Sequence, residues 1–228
     1  MSVRRVDFGY FIRPPVETGT GAPRAEPCLG YLIDHADGRL LFDTGMGSNP
    51  EVDAHYRPRR QTLEAALHAT GMQPGQIDLV ANCHLHFDHC GGNPLLDGRP
   101  VFTQRIELEA ARHTRDYTLP ELIDTPQANY EELDGEAEIL TGVTLFPTPG
   151  HTAGHQSLLV QLGDGTVVVA AGQSHDSATD YSADALAWRA RRERHPPPLP
   201  IPSAWMDRLL KLDPARVVFA HDHAVWVP

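Results

Sequence analysis

The stretch CHLHFDHCGGN, residues 83–93, decides how this chain of 228 residues folds. It continues an apolar segment, IDLVANCH (77–84), that is typical of a short buried strand. Side chains alternate along an extended chain, so His84 and His86 would face the same side of it. The stretch therefore predicts a strand that ends with two imidazoles directed at one point.

The second half of the same stretch adds two more polar groups. A turn after Phe87 would aim Asp88 and His89 at the same point, and the two glycines that follow let the backbone bend tightly. Imidazole and carboxylate groups are ligands that suit zinc, and also iron or manganese. Four such residues within six positions predict a metal site at the end of the strand.

Two later segments offer further histidines. TPGHTAGHQS (148–157) contains His151 and His155, and FAHDH (219–223) contains His221. Each segment follows or ends an apolar run that predicts a strand. Their imidazoles would therefore emerge at a sheet edge.

The rest of the chain shows apolar patterns of both strand and helix type. Strand patterns occupy residues 29–35, 39–45, 100–104, 137–150, 155–172 and 215–223. Helical patterns occupy residues 62–71, 105–113, 182–194 and 203–212, whereas the polar residues 49–60 predict a loop. The elements fall into two groups, roughly residues 1–125 and 126–228, which indicates a single domain over 1–228 made of two sheet-plus-helix halves packed face to face.

Charge and composition limit the partners of the protein. The formal charge of −11 disfavours a nucleic-acid partner, because phosphate binding needs a concentrated basic surface. The dense basic run RARRER (189–194) is typical of the solvated face of a helix. No window of 18 apolar residues occurs, so we expect no membrane span. The first residues lack the apolar core of a signal peptide, which favours a cytoplasmic protein.

Three cysteines are too few for a disulfide framework in a chain of this length. Cys83 and Cys90 flank the histidine cluster and could be taken for metal ligands. We expect both to be buried as small apolar residues instead.

The segments HLHFDH, TPGHTAGHQS and FAHDH, in this order and at these distances, resemble the metallo-β-lactamase superfamily. The resemblance covers nearly the whole chain, including LLFDTG (40–45). Within the superfamily, HLHFDHCGGN, QRIELEAAR (104–112) and TPGHTAGHQSLLV look like the N-acyl homoserine lactonase branch. The resemblance implies an α/β fold, the αββα four-layer sandwich.

The resemblance also implies two metal sites. The first site would use His84, His86 and His151, and the second would use Asp88, His89 and His221. Asp43 falls on the family aspartate that orients metal ligands by hydrogen bonds. His155 belongs to the motif without being a ligand, and its expected role is to brace its loop.

The sequence departs from the family pattern at Gln173, where the family has an aspartate that bridges both metals. A carboxamide is neutral and its NH₂ group is a poor ligand, so it is a weak bridge between two dications. We therefore expect one tightly held zinc ion and a second ion that is bound more weakly. Asp176 or His175 could supply the missing ligand if their loop folds inward.

A second departure is Asp176 itself, which stands where this branch usually has a tyrosine that polarises the substrate carbonyl. Tyr181 is the nearest tyrosine that could reach the pocket. The lactone assignment is therefore less specific than the assignment to metal-dependent hydrolases.

The predicted activity is hydrolysis of a lactone or related ester, a small-molecule substrate. A bound metal lowers the pKa of its water toward ~7, and the resulting hydroxide would attack the carbonyl. Asp88 would orient the nucleophile and pass a proton to the leaving alkoxide. Candidates for an apolar substrate wall are Phe87, Tyr117 and Trp188.

Other activities stay open, because a fold does not fix its substrate. A β-lactam or a thioester would use the same water. A different class is a metal-binding or ligand-sensing protein with little hydrolytic activity, which Gln173 and Asp176 favour.

Overall fold

The computed structural model describes residues 1–96 and 98–228, and within them the chain forms two β-sheets with helices on their outer faces. The first sheet contains β1 (Ser2–Arg13), β2 (Arg24–His35), β3 (Gly38–Phe42), β4 (Arg59–Arg60), β5 (Leu79–Ala81), β6 (Pro100–Gln104) and β7 (Asn129–Leu133). The second contains β8 (Ala137–Leu140), β9 (Val143–Pro147), β10 (Gln156–Gln161), β11 (Val167–Ala170) and β12 (Arg216–Val218). Neighbouring strands follow the order β4-β1-β2-β3-β5-β6-β7 in the first sheet and β12-β11-β10-β9-β8 in the second.

The helices connect and cover these strands. They are α1 (Pro50–Tyr56), α2 (Leu63–Ala69), α3 (Arg105–His113), α4 (Ala178–Arg192) and α5 (Met206–Lys211), with short 3-10 turns at Pro74–Gln76, Asn93–Leu96 and Pro120–Leu122. None of the helices in the described part of the chain is long and apolar enough to cross a membrane.

Successive side chains of a strand enter different cores. In β2, Leu32 packs on the side of α2, whereas its neighbour Ile33 packs between the two sheets. In β10, Leu158 faces the first sheet and Leu159 faces the helices on the other side. Both sheets are therefore apolar on two faces, and each face needs a cover.

Helices supply the two outer covers. Leu63 and Leu67 of α2 pack on the first sheet, and Tyr181 of α4 and Met206 of α5 pack on the second. The layers thus run helix, sheet, sheet, helix. The predicted αββα four-layer sandwich is confirmed.

Some boundaries differ from the sequence prediction. Residues 49–60 were expected to form a loop, but they contain α1, which begins at a cap where Asn49 accepts a hydrogen bond from the backbone of Val52. No residue of α1 is buried, so the segment carries no apolar periodicity that could have revealed it. In addition, β1 was not predicted, and β7 pairs with β6, so the first half extends to residue 133 instead of 125.

Parallel pairing brings four chain segments to one edge of the sandwich. β3 runs parallel to β5 in the first sheet, and β11 runs parallel to β12 in the second. The carboxyl ends of parallel strands meet at the same edge. Asp43, the histidine loop, Gln173 and His221 follow these four ends, and ligands commonly bind at such an edge.

Candidate metal centre

Three imidazole nitrogens converge beyond the end of β5. Nε2 of His84 lies 2.9 Å from Nδ1 of His86, and Nε2 of His151 lies 3.2 Å from the same Nδ1 atom. The first two residues belong to the loop after β5, and His151 belongs to the loop between β9 and β10. The three nitrogens lie within 4.8 Å of one another, so one ion could contact all of them.

A second group of donors lies beside the first. Nε2 of His89 is 3.2 Å from Nε2 of His221. The Oδ2 atom of Asp88 lies 3.5 Å from the former nitrogen and 3.4 Å from the latter. All three side chains are buried. The rings of His84 and His89 have centroids 4.1 Å apart, so the two groups are adjacent.

The opposite ring nitrogens of the second group are engaged elsewhere. His89 donates from Nδ1 to Oδ2 of Asp43 at 3.1 Å, and His221 donates from Nδ1 to the carbonyl of Pro27 at 2.8 Å. Such bonds fix the tautomer, so that the Nε2 atom carries the lone pair of the neutral ring and faces the cluster. Nitrogen ligands of a tetrahedral zinc ion are about 3.3 Å apart, which is close to the spacing of these atoms. The donor set therefore fits a metal ion.

Asp43 holds the histidine loop from behind. Its Oδ1 atom accepts a hydrogen bond from the backbone nitrogen of Cys83 at 2.8 Å, while its Oδ2 atom contacts His89. Its backbone has a φ of 63°, in the left-handed region that non-glycine residues seldom adopt. Both oxygens of this buried carboxylate are therefore used to position the loop.

The electrostatics favour an ionised Asp88, and burial lowers the pKa values of His84, His86 and His221. His89 differs, because Asp88 and Asp43 outweigh burial and raise its pKa. Burial alone would raise the pKa of Asp88, but His89, His221 and His86 outweigh burial and lower the pKa to about 2. The side chain of His151 is exposed toward the cavity, but partial loss of hydration and the neighbouring imidazoles still lower its pKa. Asp88 can therefore only accept, and His151 keeps a free lone pair, which are the states a metal requires.

His155 lies behind the first group and joins two loops. Its Nδ1 atom donates to the carbonyl of Thr148 at 3.1 Å, and its Nε2 atom accepts from the backbone nitrogen of Gln173 at 3.0 Å. Burial lowers its pKa well below the usual range, so the ring is neutral and can serve as donor and acceptor at once. His155 thereby fixes the backbone position of Gln173.

Gln173 is buried in the wall of the cavity that holds both donor groups. Its Nε2 atom donates to Oδ1 of Asp176 at 3.3 Å. Oδ2 of Asp176 accepts from Arg24 at 3.0 Å. Both carboxylate oxygens of Asp176 thus have partners of their own, and the metal-binding groups found among the described residues do not include it.

His175 and Tyr181 point away from the cavity, which corrects the suggestion that either could serve the site. His175 makes a 3.0 Å contact from Nε2 to Oδ2 of Asp184 and packs edge-on against Trp205. Tyr181 is fully buried in the outer core beside Phe219. Tyr181 lies in the first turn of α4 and His175 lies just before that helix, whose apolar face covers the second sheet, so packing decides their direction.

The cysteines are buried free thiols, as expected. The Sγ atom of Cys83 lies 3.2 Å from Nδ1 of His84 and 3.2 Å from Nδ1 of His89, on the side away from the donor nitrogens. Burial raises the pKa values of Cys83 and Cys90, which keeps both protonated. A protonated thiol is a poor metal ligand.

Glu107 is a residue of the site that the sequence prediction missed. It is fully buried on α3, where Oε1 accepts from the backbone nitrogen of Leu85 at 2.8 Å and from the hydroxyl of Tyr117. Oε2 accepts from Thr152 at 2.7 Å. One carboxylate therefore links both histidine loops and the cavity wall. Its position four residues before the buried Ala111 was the signal available, because that spacing places it on the buried face of the helix.

The two donor groups open into a cavity of about 790 Å³. Its apolar wall includes Phe87 and Tyr117, as the sequence suggested, and also Phe11 and Tyr56. The ring of Tyr56 stacks on Phe87 with centroids 4.9 Å apart. Tyr56 ends α1, so the unpredicted helix contributes part of this wall.

Trp188, the third candidate for the substrate wall, lies elsewhere, and that prediction is wrong. It packs against the outer core beside α5 and donates from Nε1 to Oδ1 of Asp207 at 3.1 Å. The Arg192 guanidinium lies 4.8 Å from the centroid of its ring. A tryptophan on a partly apolar helix face is as suited to packing as to ligand contact, and here packing prevails.

Comparisons with known proteins agree with this architecture. The family model of the metallo-beta-lactamase superfamily matches residues 23–221. An N-acyl homoserine lactonase of a Bacillus species is 38% identical over 148 residues, which cover 59% of this chain and 58% of that protein. An N-acyl homoserine lactonase of Bacillus cereus is 35% identical over 151 residues with the same coverage. The chain thus spans about 58% of the length of these relatives.

A solved structure of a quorum-quenching N-acyl homoserine lactone hydrolase has a TM-score of 0.73 and 26% identity. The superposition covers 97% of this chain and 92% of that chain. With a family match over most of its length and the matching four-layer fold, this chain belongs to the metallo-beta-lactamase superfamily.

Proposed function

We propose that the protein is a metal-dependent hydrolase that opens a lactone or related ester, with N-acyl homoserine lactones as the first substrates to test. The observation that carries the proposal is the convergence of six imidazole and carboxylate groups, of which His86, Asp88 and His151 line a cavity that has aromatic side chains in its wall. The lactonase relatives support the substrate class.

The proposed metal is zinc, held first by His84, His86 and His151. Asp88, His89 and His221 would hold a second ion, with Gln173 as a neutral neighbour that makes this site the weaker one. The same imidazole and carboxylate ligands would also accept iron or manganese. A bound dication supplies Lewis acidity and an acidified water at neutral pH.

Asp88 is the proposed proton carrier. Its buried carboxylate lines the cavity, so it can accept a hydrogen bond from the attacking water and take up its proton. It can then return that proton to the alkoxide that leaves the opened ring. This is general acid–base catalysis by one group, typically worth about 10²–10⁴-fold in rate.

The apolar wall would bind the acyl chain. Phe87 and Tyr117 present aromatic surface to the cavity, and burial of such surface contributes roughly 25 cal/mol per Å². The Tyr117 hydroxyl already donates to Glu107, so this tyrosine is assigned to the wall and not to activation of the substrate carbonyl.

The experiment is a side-by-side kinetic comparison on metal-reconstituted protein. The substrates are N-acyl homoserine lactones of several chain lengths, a β-lactam, a thioester and a phosphodiester. We expect the highest kcat/KM for a lactone, with longer acyl chains favoured by the apolar wall. A clear preference for any of the other three classes would overturn the substrate assignment.

A ligand-sensing protein is the second candidate. The observation that favours it is the pairing of Gln173 with Asp176 in place of a bridging carboxylate and a free hydroxyl. In that case metal-loaded protein would bind a lactone in calorimetry but leave it intact after prolonged incubation. Turnover of the bound lactone excludes this candidate.

A further inference from the structure

Gln173 and Asp176 form a hydrogen-bonded pair whose direction is fixed by chemistry. A carboxamide donates only from its nitrogen, and an ionised carboxylate only accepts. The 3.3 Å contact joins Nε2 of Gln173 to Oδ1 of Asp176. The opposite orientation of the amide would place two acceptor oxygens against each other.

Asp176 is itself anchored to the first sheet. Its Oδ2 atom accepts from Nη2 of Arg24 at 3.0 Å, and Nε of Arg24 donates to Oε1 of Glu26 at 2.6 Å. Glu26 is buried in β2 and also accepts from Arg13 at 2.8 Å. The carboxylate of Asp176 therefore has a position set by the opposite sheet and not only by its own loop.

The backbone of Gln173 is held independently by Nε2 of His155. With the backbone nitrogen bound on one side and the amide nitrogen bound on the other, the remaining polar atom of the side chain is Oε1, and the side chain lies within hydrogen-bonding reach of His89. Gln173 lines the same cavity as Asp88 and His151, so this oxygen is the one available to the metal centre.

We infer that Asp176 is a positioning residue for Gln173, which it holds so that the carboxamide oxygen faces the donor cluster. The inference rests on the proposed metal-dependent function. It makes the two departures from the family pattern one coupled change: an amide at position 173 needs a carboxylate at position 176 to orient it.

This coupling predicts that the effect of Asp176 on zinc affinity changes sign with the residue at position 173. Next to glutamine, the carboxylate of Asp176 is an acceptor that orients the ligand oxygen. Next to an aspartate at position 173, the carboxylate of Asp176 would be a like charge at close range. Its repulsion would disfavour the ionised form of that aspartate, which is the form that binds a metal ion. If Asp176 had a purely structural role, its removal would change zinc affinity in the same direction with glutamine or with aspartate at position 173.

The test is zinc binding to stripped protein, measured by calorimetry and elemental analysis, for Asp176→Ala in the wild-type and Gln173→Asp backgrounds. In the wild-type background we expect the zinc affinity of the weaker site to fall about tenfold. This is the lower end of the ~10–100-fold loss that follows removal of a partner that orients a metal ligand. Asp176→Asn should lose less, because its carbonyl oxygen can still accept from Gln173. In the Gln173→Asp background, Asp176→Ala should leave zinc affinity unchanged or raise it.

Asp37→Ala is the matched control, since it removes the same charge from an exposed hairpin turn. The melting temperatures of the stripped variants show whether each one folds. Equal losses of zinc affinity in both backgrounds, or no loss in either, would overturn the pairing while leaving the metal site intact. If stripped wild-type protein takes up no zinc, the proposed metal-dependent function fails, and the inference fails with it.

Discussion

The histidine loop, residues 83–93, and the segment 173–176 border the same cavity but are held in different ways. The loop is held by buried partners, chiefly Asp43 and Glu107, which accept hydrogen bonds from its backbone. In the segment 173–176, buried His155 holds the backbone of Gln173. The side chain of Asp176 is held by Arg24, and these two side chains are 36% and 40% exposed. Charge pairs exposed to this extent contribute little to stability, typically ~0–1 kcal/mol.

This difference indicates how strongly substitutions in each region should affect the fold. A loop fixed by buried hydrogen bonds loses both structure and ligands when one partner is removed. A half-exposed pair such as Asp176 and Arg24 can be exchanged with a smaller effect on the fold. The two departures that the sequence resemblance implies, at Gln173 and Asp176, lie in the second region.

The largest expected effect is in the histidine loop. His86→Ala removes the nitrogen that lies within reach of both His84 and His151, so most bound metal and all measurable hydrolysis should be lost. Elemental analysis and lactone turnover measure the two effects. His68→Ala, at an exposed position of α2, is the control. A His86→Ala protein with wild-type metal content would show that the loop does not hold the ion.

A second test removes the support of the same loop. Glu107→Ala leaves the donors of Leu85, Tyr117 and Thr152 without their acceptor in a buried region. We expect a loss of ~3 kcal/mol in the free energy of unfolding, since each unsatisfied buried donor costs about 1–3 kcal/mol. Urea unfolding of stripped protein measures this loss without the metal. An unchanged midpoint would mean that the loop is held by something other than Glu107.

A smaller effect is expected at position 173. Gln173→Asp supplies a charged second donor, so metal content under limiting zinc should rise toward two ions per chain while the melting temperature of stripped protein stays near that of the wild type. Zinc titration of both proteins gives stoichiometry and affinity. If the wild type already binds two ions as tightly as the variant, the neutral amide of Gln173 does not weaken the second zinc site.

The smallest effect is expected outside both regions. Trp188→Phe keeps the packing against the outer core but loses the hydrogen bond to Asp207. The free energy of unfolding should fall by ~1 kcal/mol, whereas kcat/KM for a lactone should stay within about twofold of wild type. Phe87→Ala is the comparison, since it removes surface from the cavity wall and should raise KM. A Trp188→Phe effect on KM as large as that of Phe87→Ala would return Trp188 to the substrate wall.

The sequence by itself predicted two sheet-plus-helix halves and a metal site after a buried strand, and its resemblance to the superfamily implied the four-layer sandwich and the two donor groups. The reason for the first prediction is local: short continuous apolar runs mark strands buried on both faces, and histidines directly after such strands emerge at a sheet edge. The α3 helix was predicted over the residues it occupies, 105–113, because its apolar spacing is regular. By contrast, α1 has no buried residue and left no pattern to detect.

Only the tertiary structure decided what lies behind and around those groups. Glutamate is a residue type found mostly at the surface, and only the approach of two loops to α3 makes Glu107 a buried acceptor. His175 and Asp176 are neighbours in sequence, yet packing of α4 turns the first toward Asp184 and leaves the second beside Gln173. The partner that anchors Asp176 lies 152 residues away on β2. Contacts of this kind depend on how sheets and helices are stacked, which no local pattern of residues records.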